Sequence, residues 1–140
     1  MQKFSIVEEL IDPKDFNRLR GSVGWETHRE EDVEIALKNT LFIIVAKNNS
    51  GRIIGMARVI GDEGMYYYIQ DVIVLPGFQG IGIGNALMER IEDYLNRNTK
   101  PGLFIGLMAA KGKEGFYRKL GFIDRPAENY GAGMCKEIVE

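Results

Sequence analysis

Apolar and polar positions follow two rhythms along this chain, and their succession outlines the fold. Phe4, Ile6 and Glu8 mark an every-second-residue alternation that predicts a first strand. Asp12-Pro13 supplies an N-cap and a proline for the first helical position, so a short helix should run to Arg20 and end at Gly21. Thr27-His28-Arg29-Glu30 reads as a capping box, which predicts a second helix to about Asn39 with Val33, Ala36 and Leu37 on its buried stripe. The continuous apolar run Leu41 to Ala46 suits a central strand, and the turn cluster Asn48 to Gly51 joins it to Ile53 to Val59 as a hairpin. Beyond the turn Gly61 to Gly64, Met65 to Leu75 forms a long strand. Ile83, Ala86, Leu87, Ile91, Tyr94 and Leu95 then recur at helical spacing, with Glu89, Arg90, Glu92, Asp93 and Asn96 on the other side.

Lys100-Pro101-Gly102 breaks the chain before Leu103 to Met108, a further buried strand. A helix joins it to the strand ending at Val74, so those two should run parallel. From Asp124 the pattern reads as a loop and a last strand over 131–138, in which Gly131 and Gly133 suit either a close backbone approach or a flexible turn. The succession describes one mixed α/β domain over residues 1–140.

Composition narrows the function by exclusion. With 140 residues and 45% hydrophobic content the chain can bury a real core. A net charge of -2, without any dense lysine and arginine stripe, argues against nucleic acid as a partner. Met1 to Leu10 is too short and polar for a signal peptide, and no apolar run approaches the ~20 residues of a membrane span. Cytoplasmic placement is expected. The single cysteine, Cys135, cannot form an internal disulfide and is expected as a small buried hydrophobe on the last strand. His28 has no second histidine or nearby cysteine to share a metal, so no metal is expected.

Candidate chemistry concentrates in Val72 to Leu87. An apolar strand stops at Pro76-Gly77, and the glycine-rich turn Gln79-Gly80-Ile81-Gly82-Ile83-Gly84 leads directly into a helix. Such a turn leaves backbone N–H groups uncovered, and the helix start adds unpaired N–H groups and the positive end of its dipole, so a phosphate or pyrophosphate fits there. A nucleotide P-loop would need a lysine and a hydroxyl after the last glycine, where Asn85 and Ala86 stand. A dinucleotide fingerprint also fails, because Asn85 and Leu87 occupy the positions its third glycine would take.

The turn resembles instead the Q/R-x-x-G-x-G/A pyrophosphate loop of the GNAT superfamily of acyl-CoA-dependent N-acetyltransferases. Downstream, Phe116-Tyr117-Arg118-Lys119-Leu120-Gly121-Phe122 resembles that superfamily's aromatic-tyrosine pair followed by a Leu-Gly-Phe turn. The likeness covers residues 52–122 well and implies a mostly antiparallel central sheet with one splayed parallel pair, flanked by helices. It implies acetyl-CoA as cosubstrate, its pyrophosphate on Gln79, Gly80, Ile81, Gly82, Ile83, Gly84 and Asn85. The pantetheine arm would then lie along Val72, Ile73 and Val74, with Lys113, Phe116 and Tyr117 facing the cofactor. The segment carrying Trp25 would form part of the acceptor wall, together with Tyr68 and Gln70. A homodimer is compatible with the likeness.

Amide formation from a thioester needs a neutral amine. For an alkylamine of pKa ~10.4, deprotonation at pH 7 costs about 4.6 kcal/mol. It also needs a polarised carbonyl, which a backbone N–H near Val74 would provide, and a proton for the departing thiolate, for which Tyr117 is the candidate acid. Asp71, the only carboxylate within the strand leading to the loop, is either the base or acceptor anchor, or a residue satisfied within the fold. Regular alternation would send Tyr68 and Gln70 to the face opposite Asp71, and a bulge would exchange those faces. The expected reaction is acetyl transfer to a primary amine of a small molecule by direct attack. The alternatives are acetylation of a protein N-terminus or lysine, and a non-catalytic coenzyme A sensor.

Overall fold

The computed structural model describes residues 3–139, which fall into two compact units, one running through Gly106 and the other from Leu107. The first holds a sheet in the order β1-β2-β3-β4-β5, made of β1 (Phe4–Glu8), β2 (Phe42–Asn48), β3 (Ile53–Gly61), β4 (Tyr66–Val74) and β5 (Phe104–Leu107). β1 to β4 are antiparallel neighbours, with the register shifting between Ala46 and Lys47 and between Met56 and Arg58, and β5 joins β4 in parallel, where the Phe104 N–H donates to the Met65 carbonyl at 3.1 Å. The expected mixed α/β architecture is therefore present.

Helices cover both faces of the central strands. A Cβ built on Gly55 of β3 would lie 3.4 Å from both Ile83 and Leu87, so Gly55, Ala57 and Val59 look toward α3 (Ile83–Asn98). Their neighbours Met56 and Arg58 look toward α1 (Pro13–Ser22), where the Arg58 guanidinium lies 5.7 Å from the Phe16 ring centre. This explains the unbroken apolar run of β2. Phe42 and Ile44 pair with Val59 and Ala57 on the α3 side, Ile43 and Val45 with Arg58 and Met56 on the other, and all four are buried. The helical periodicity of α3 places Ile83, Leu87, Met88, Ile91 and Leu95 in the core, and Phe42 stacks on Tyr94 with ring centres 4.4 Å apart.

Several expectations need correction. Asp12 caps α1 as expected, its side chain accepting from Lys14 N–H at 2.8 Å, but the helix continues through Gly21 to Ser22. The capping box does not form: α2 (Glu30–Lys38) starts after Arg29, with no side-chain cap. The Asn17 amide instead clamps the His28 backbone, accepting its N–H at 3.0 Å and donating to its carbonyl at 2.7 Å, which holds His28 outside the helix. β5 is four residues long and only part-buried, with Met108 53% exposed, because no strand follows it in the sheet.

The second unit contains α4 (Glu114–Arg118). Arg118 grips Asp124 with two bonds of 2.9 and 2.6 Å, and Ala127 and Tyr130 exchange backbone bonds of 2.9 and 3.0 Å. The expected last strand is absent among the described residues: 131–139 is exposed and forms neither helix nor strand. Cys135 is accordingly exposed rather than buried.

Candidate active site

The site starts from the end of β4. Leu75 N–H donates to the Ile54 carbonyl at 2.9 Å, so ladder alternation turns the N–H and carbonyl of Val74 away from β3. That carbonyl accepts from the Gln79 amide side chain at 3.0 Å, which ties the loop back onto the strand. Pro76–Phe78 forms a single 3-10 turn, and Gly80 and Gly82 then take φ of 82° and 96°, a region where any side chain is strained. No atom lies within 4 Å of a Cβ built on either, so these glycines answer to backbone angle and not to crowding.

Gly82 is the N-cap of α3 and gives no side-chain cap. The first intrahelical bond is Ala86 N–H to the Gly82 carbonyl at 3.0 Å, which leaves the amides of Ile83, Gly84 and Asn85 as the orphan donors of the helix start. Among the described residues, no backbone or side-chain acceptor meets the N–H groups of Gly80 to Asn85. Ile83 is 1% exposed and anchors this end in the core, whereas Ile81 lies on the surface. The arrangement is a fixed row of bare donors at the positive end of a sixteen-residue helix.

Upstream, β4 carries a bulge. Arg58 pairs with Gln70 and Met56 with Ile73, so Asp71 and Val72 together oppose Ala57. Asp71 takes φ 57°, a left-handed conformation that aspartate tolerates better than most residues. The extra residue exchanges the faces: Tyr67 and Ile69 look toward α3, but Ile73 joins Met56 on the α1 side. The Asp71 carboxylate therefore emerges with Gln70, not opposite it, and the Gln70 amide lies 3.5 Å away.

Asp71 is completely buried and flanked by two cations. Arg58 donates to one carboxylate oxygen at 2.7 Å and Arg20 of α1 to the other. Arg58 also donates to the Thr40 hydroxyl at 3.0 Å, and Arg20 to the Glu26 carbonyl at 2.7 Å. The Arg20 guanidinium lies 5.8 Å from the Phe16 ring centre and 5.4 Å from that of Trp25. Trp25 is thus part-buried over a guanidinium that ties the α1–α2 connection to the bulge. Reasoning on sequence overlooked Arg20 and Arg58; the signal available was an arginine inside the otherwise apolar run of β3.

In the second unit Tyr117 is buried on α4, its ring edge-on to Phe116 at 5.0 Å and to Phe122 at 6.1 Å. Burial pushes its phenol above the ordinary tyrosine value, which keeps the hydroxyl protonated at neutral pH. Phe122 N–H closes back onto the Tyr117 carbonyl at 3.2 Å, so the Leu-Gly-Phe turn packs against the tyrosine it follows. Lys113 is exposed at the N-cap of α4. Among the described residues no cluster of histidine, cysteine and carboxylate side chains could hold a metal, and no helix is long and apolar enough to cross a membrane.

A five-stranded sheet with a parallel last pair, a bulged fourth strand and an uncapped helix after a glycine turn defines an acyltransferase-type α/β fold. A profile described as an acetyltransferase (GNAT) domain matches residues 39–124, and this chain belongs to the GNAT acetyltransferase family. It is 38% identical over 115 residues to an uncharacterized N-acetyltransferase, ycf52, of Porphyra purpurea, a match that spans 80% of this chain and 65% of that protein. A histone acetyltransferase, TAP1, of Glycine max is 36% identical over 80% of this chain and 52% of its own length. Serotonin N-acetyltransferase 2, chloroplastic, of Oryza sativa is 33% identical over 83% of this chain and 58% of its own length. Among solved structures, the probable acetyltransferase SA2161 of Staphylococcus aureus superposes with a TM-score of 0.88 at 30% identity, covering 97% of this chain and all of that one. The chain thus spans about half to two-thirds of these curated relatives.

Proposed function

We propose that this chain transfers an acetyl group from acetyl-CoA to a primary amine of a small molecule by direct attack. The observation that carries this reading is the row of unanswered amides from Gly80 to Asn85 at the uncapped start of α3. A diphosphate is the ligand such a row suits, and the family membership makes coenzyme A its natural carrier. In this reading the exposed polar edge of Val72 to Val74 pairs with the pantetheine amides, the outward N–H of Val74 supports the thioester oxygen, and Lys113 and Phe116 line the cofactor. Tyr117 donates its proton to the departing thiolate, a role favoured by a phenol held neutral. Asp71 is satisfied within the fold and is not the base: it is completely buried and both oxygens already accept from guanidinium groups, so the amine proton leaves through water. Trp25, Gln70 and Tyr68 then form the acceptor wall.

Acceptor identity is open to a second reading, acetylation of a protein lysine or N-terminus, because one relative bears the name histone acetyltransferase and another serotonin N-acetyltransferase. The cytoplasm is the proposed compartment, on composition alone; the chloroplastic label belongs to the rice relative.

Titration calorimetry with acetyl-CoA tests the central point. The wild-type chain should bind, and Gly82→Leu, which forces a side chain into φ 96° and covers the amides, should bind at least ~10-fold more weakly with an unchanged circular dichroism spectrum. Absence of wild-type binding would end the proposal. Thiol release with a panel of small amines against histone-tail peptides separates the two acceptor readings, and binding without turnover on any of them would indicate a sensor.

A further inference from the structure

The cluster at the β4 bulge does not balance its own charge. Arg20 and Arg58 both pair with Asp71, the single carboxylate within ion-pair distance of either among the described residues. Both guanidiniums also converge on one ring, 5.8 and 5.7 Å from the centre of Phe16. Their side chains are only 14% and 12% exposed, so two cations and one anion share a largely dry space and one positive charge is left over. Taking a charge out of water without a partner is costly, which makes an unbalanced buried cluster a candidate functional site.

The hydrogen bonds show where a counter-charge would sit. Arg20 uses Nε on the Glu26 carbonyl and Nη1 on Asp71, and Arg58 uses Nε on Asp71 and Nη1 on the Thr40 hydroxyl. Nη2 of each guanidinium therefore has no acceptor among the described residues. Neither is sealed in, because the one buried side-chain nitrogen or oxygen without a partner among those residues is Arg18 Nη1. Two unused amino groups thus meet solvent beside Asp71. The Trp25 ring lies 5.4 Å from the Arg20 guanidinium and the Gln70 amide 3.5 Å from Asp71, and both residues belong to the acceptor wall described above.

We propose that the acceptor amine carries a carboxylate, as an amino acid does, and that Nη2 of Arg20 and Nη2 of Arg58 receive it. The inference rests on the acetyl-transfer reading and specifies its acceptor. One carboxylate cancels the one surplus charge, whereas a phosphate dianion would overshoot it. Hydrogen bonds between guanidinium and carboxylate are roughly twice as strong as neutral ones. The same surplus works against polyamines and other acceptors that bring further cations.

Matched acceptors test this in the full chain. Each of a panel of amino acids is compared with its primary amide and its decarboxylated amine by thiol release from acetyl-CoA. The amide is the less basic amine and the decarboxylated compound the more basic, so a preference over both does not arise from amine titration. The best amino acid should exceed both partners in kcat/KM by at least ~10-fold, chiefly through KM. Arg20→Gln leaves one guanidinium on Asp71 and should bring that ratio close to one, and Arg20→Lys should restore part of it. Trp25 is the only tryptophan, so its emission in the CoA-loaded chain reads occupancy without turnover. The amino acid should shift that emission saturably, and its amide at the same concentration should not. Equal kcat/KM for acid and amide, or a preference that survives Arg20→Gln, would overturn the inference and leave acetyl transfer standing. Where no amine turns over, an emission indifferent to the carboxylate overturns it. Failure to bind acetyl-CoA is a different result and ends the transfer reading itself.

Discussion

At the scale of the residue, Tyr117 is where structure and chemistry meet most directly. Its ring is fixed edge-on between Phe116 and Phe122, and burial raises the phenol pKa. Removing only the hydroxyl preserves that packing. Tyr117→Phe should therefore keep the KM for acetyl-CoA and lower kcat by about 100-fold, the low end of what a positioned proton donor contributes. The sign of the pH effect follows from the shift: a donor with a raised pKa stays competent until pH passes its folded value. The alkaline fall in wild-type kcat should lie above the ordinary ~10 of a free phenol and disappear in the variant. Steady-state kinetics between pH 7 and 11 would decide both. The aromatic pair at Tyr117 and the turn to Phe122 were legible in sequence as a local motif, whereas the pairing of Arg20 and Arg58 was not, since their partner Asp71 lies 51 and 13 residues away.

At the scale of the element, β4 is defined by its irregularity. A bulge with a left-handed aspartate costs of order 1 kcal/mol and persists where its surroundings over-determine it. Here the surroundings are two guanidiniums that would otherwise keep only one neutral oxygen each, Thr40 for Arg58 and Glu26 for Arg20, in a largely dry site. Asp71→Asn tolerates the same backbone angle but removes the charge, so it should destabilise the chain by ~3 kcal/mol in urea denaturation at pH 7, as expected when one partner of a buried ion pair is lost. An effect within the ordinary surface range would show that the bulge needs no charge. The start of α2 carries a related lesson: Thr27 to Glu30 has the residues of a capping box, but a long-range clamp from Asn17 outcompetes it. Local signals fail where a distant amide offers the backbone better partners.

For the molecule as a whole, the antiparallel run from β2 to β4, the parallel β5 and the α3 stripe were readable because burial on one or both faces imprints directly on apolar spacing. Leu87, with no exposed surface between β3 and the α3 core, is the clearest product of that imprint. Leu87→Ala should lower stability by about 3 kcal/mol through lost contacts and a residual cavity, read from a chemical melt with an unchanged slope. The last strand was misjudged for a complementary reason. Alternating apolar residues announce that a segment can pair but not with what, and 131–139 finds no partner within its own sheet.

The exposed thiol in that segment has a practical consequence. Cys135 is free and exposed, and no helix or strand of 131–139 shields its sulfur. Air oxidation would therefore join two chains through this sulfur in any accidental encounter. A doubled mass that dithiothreitol abolishes is an artefact of handling, and one that survives it is a property of the protein.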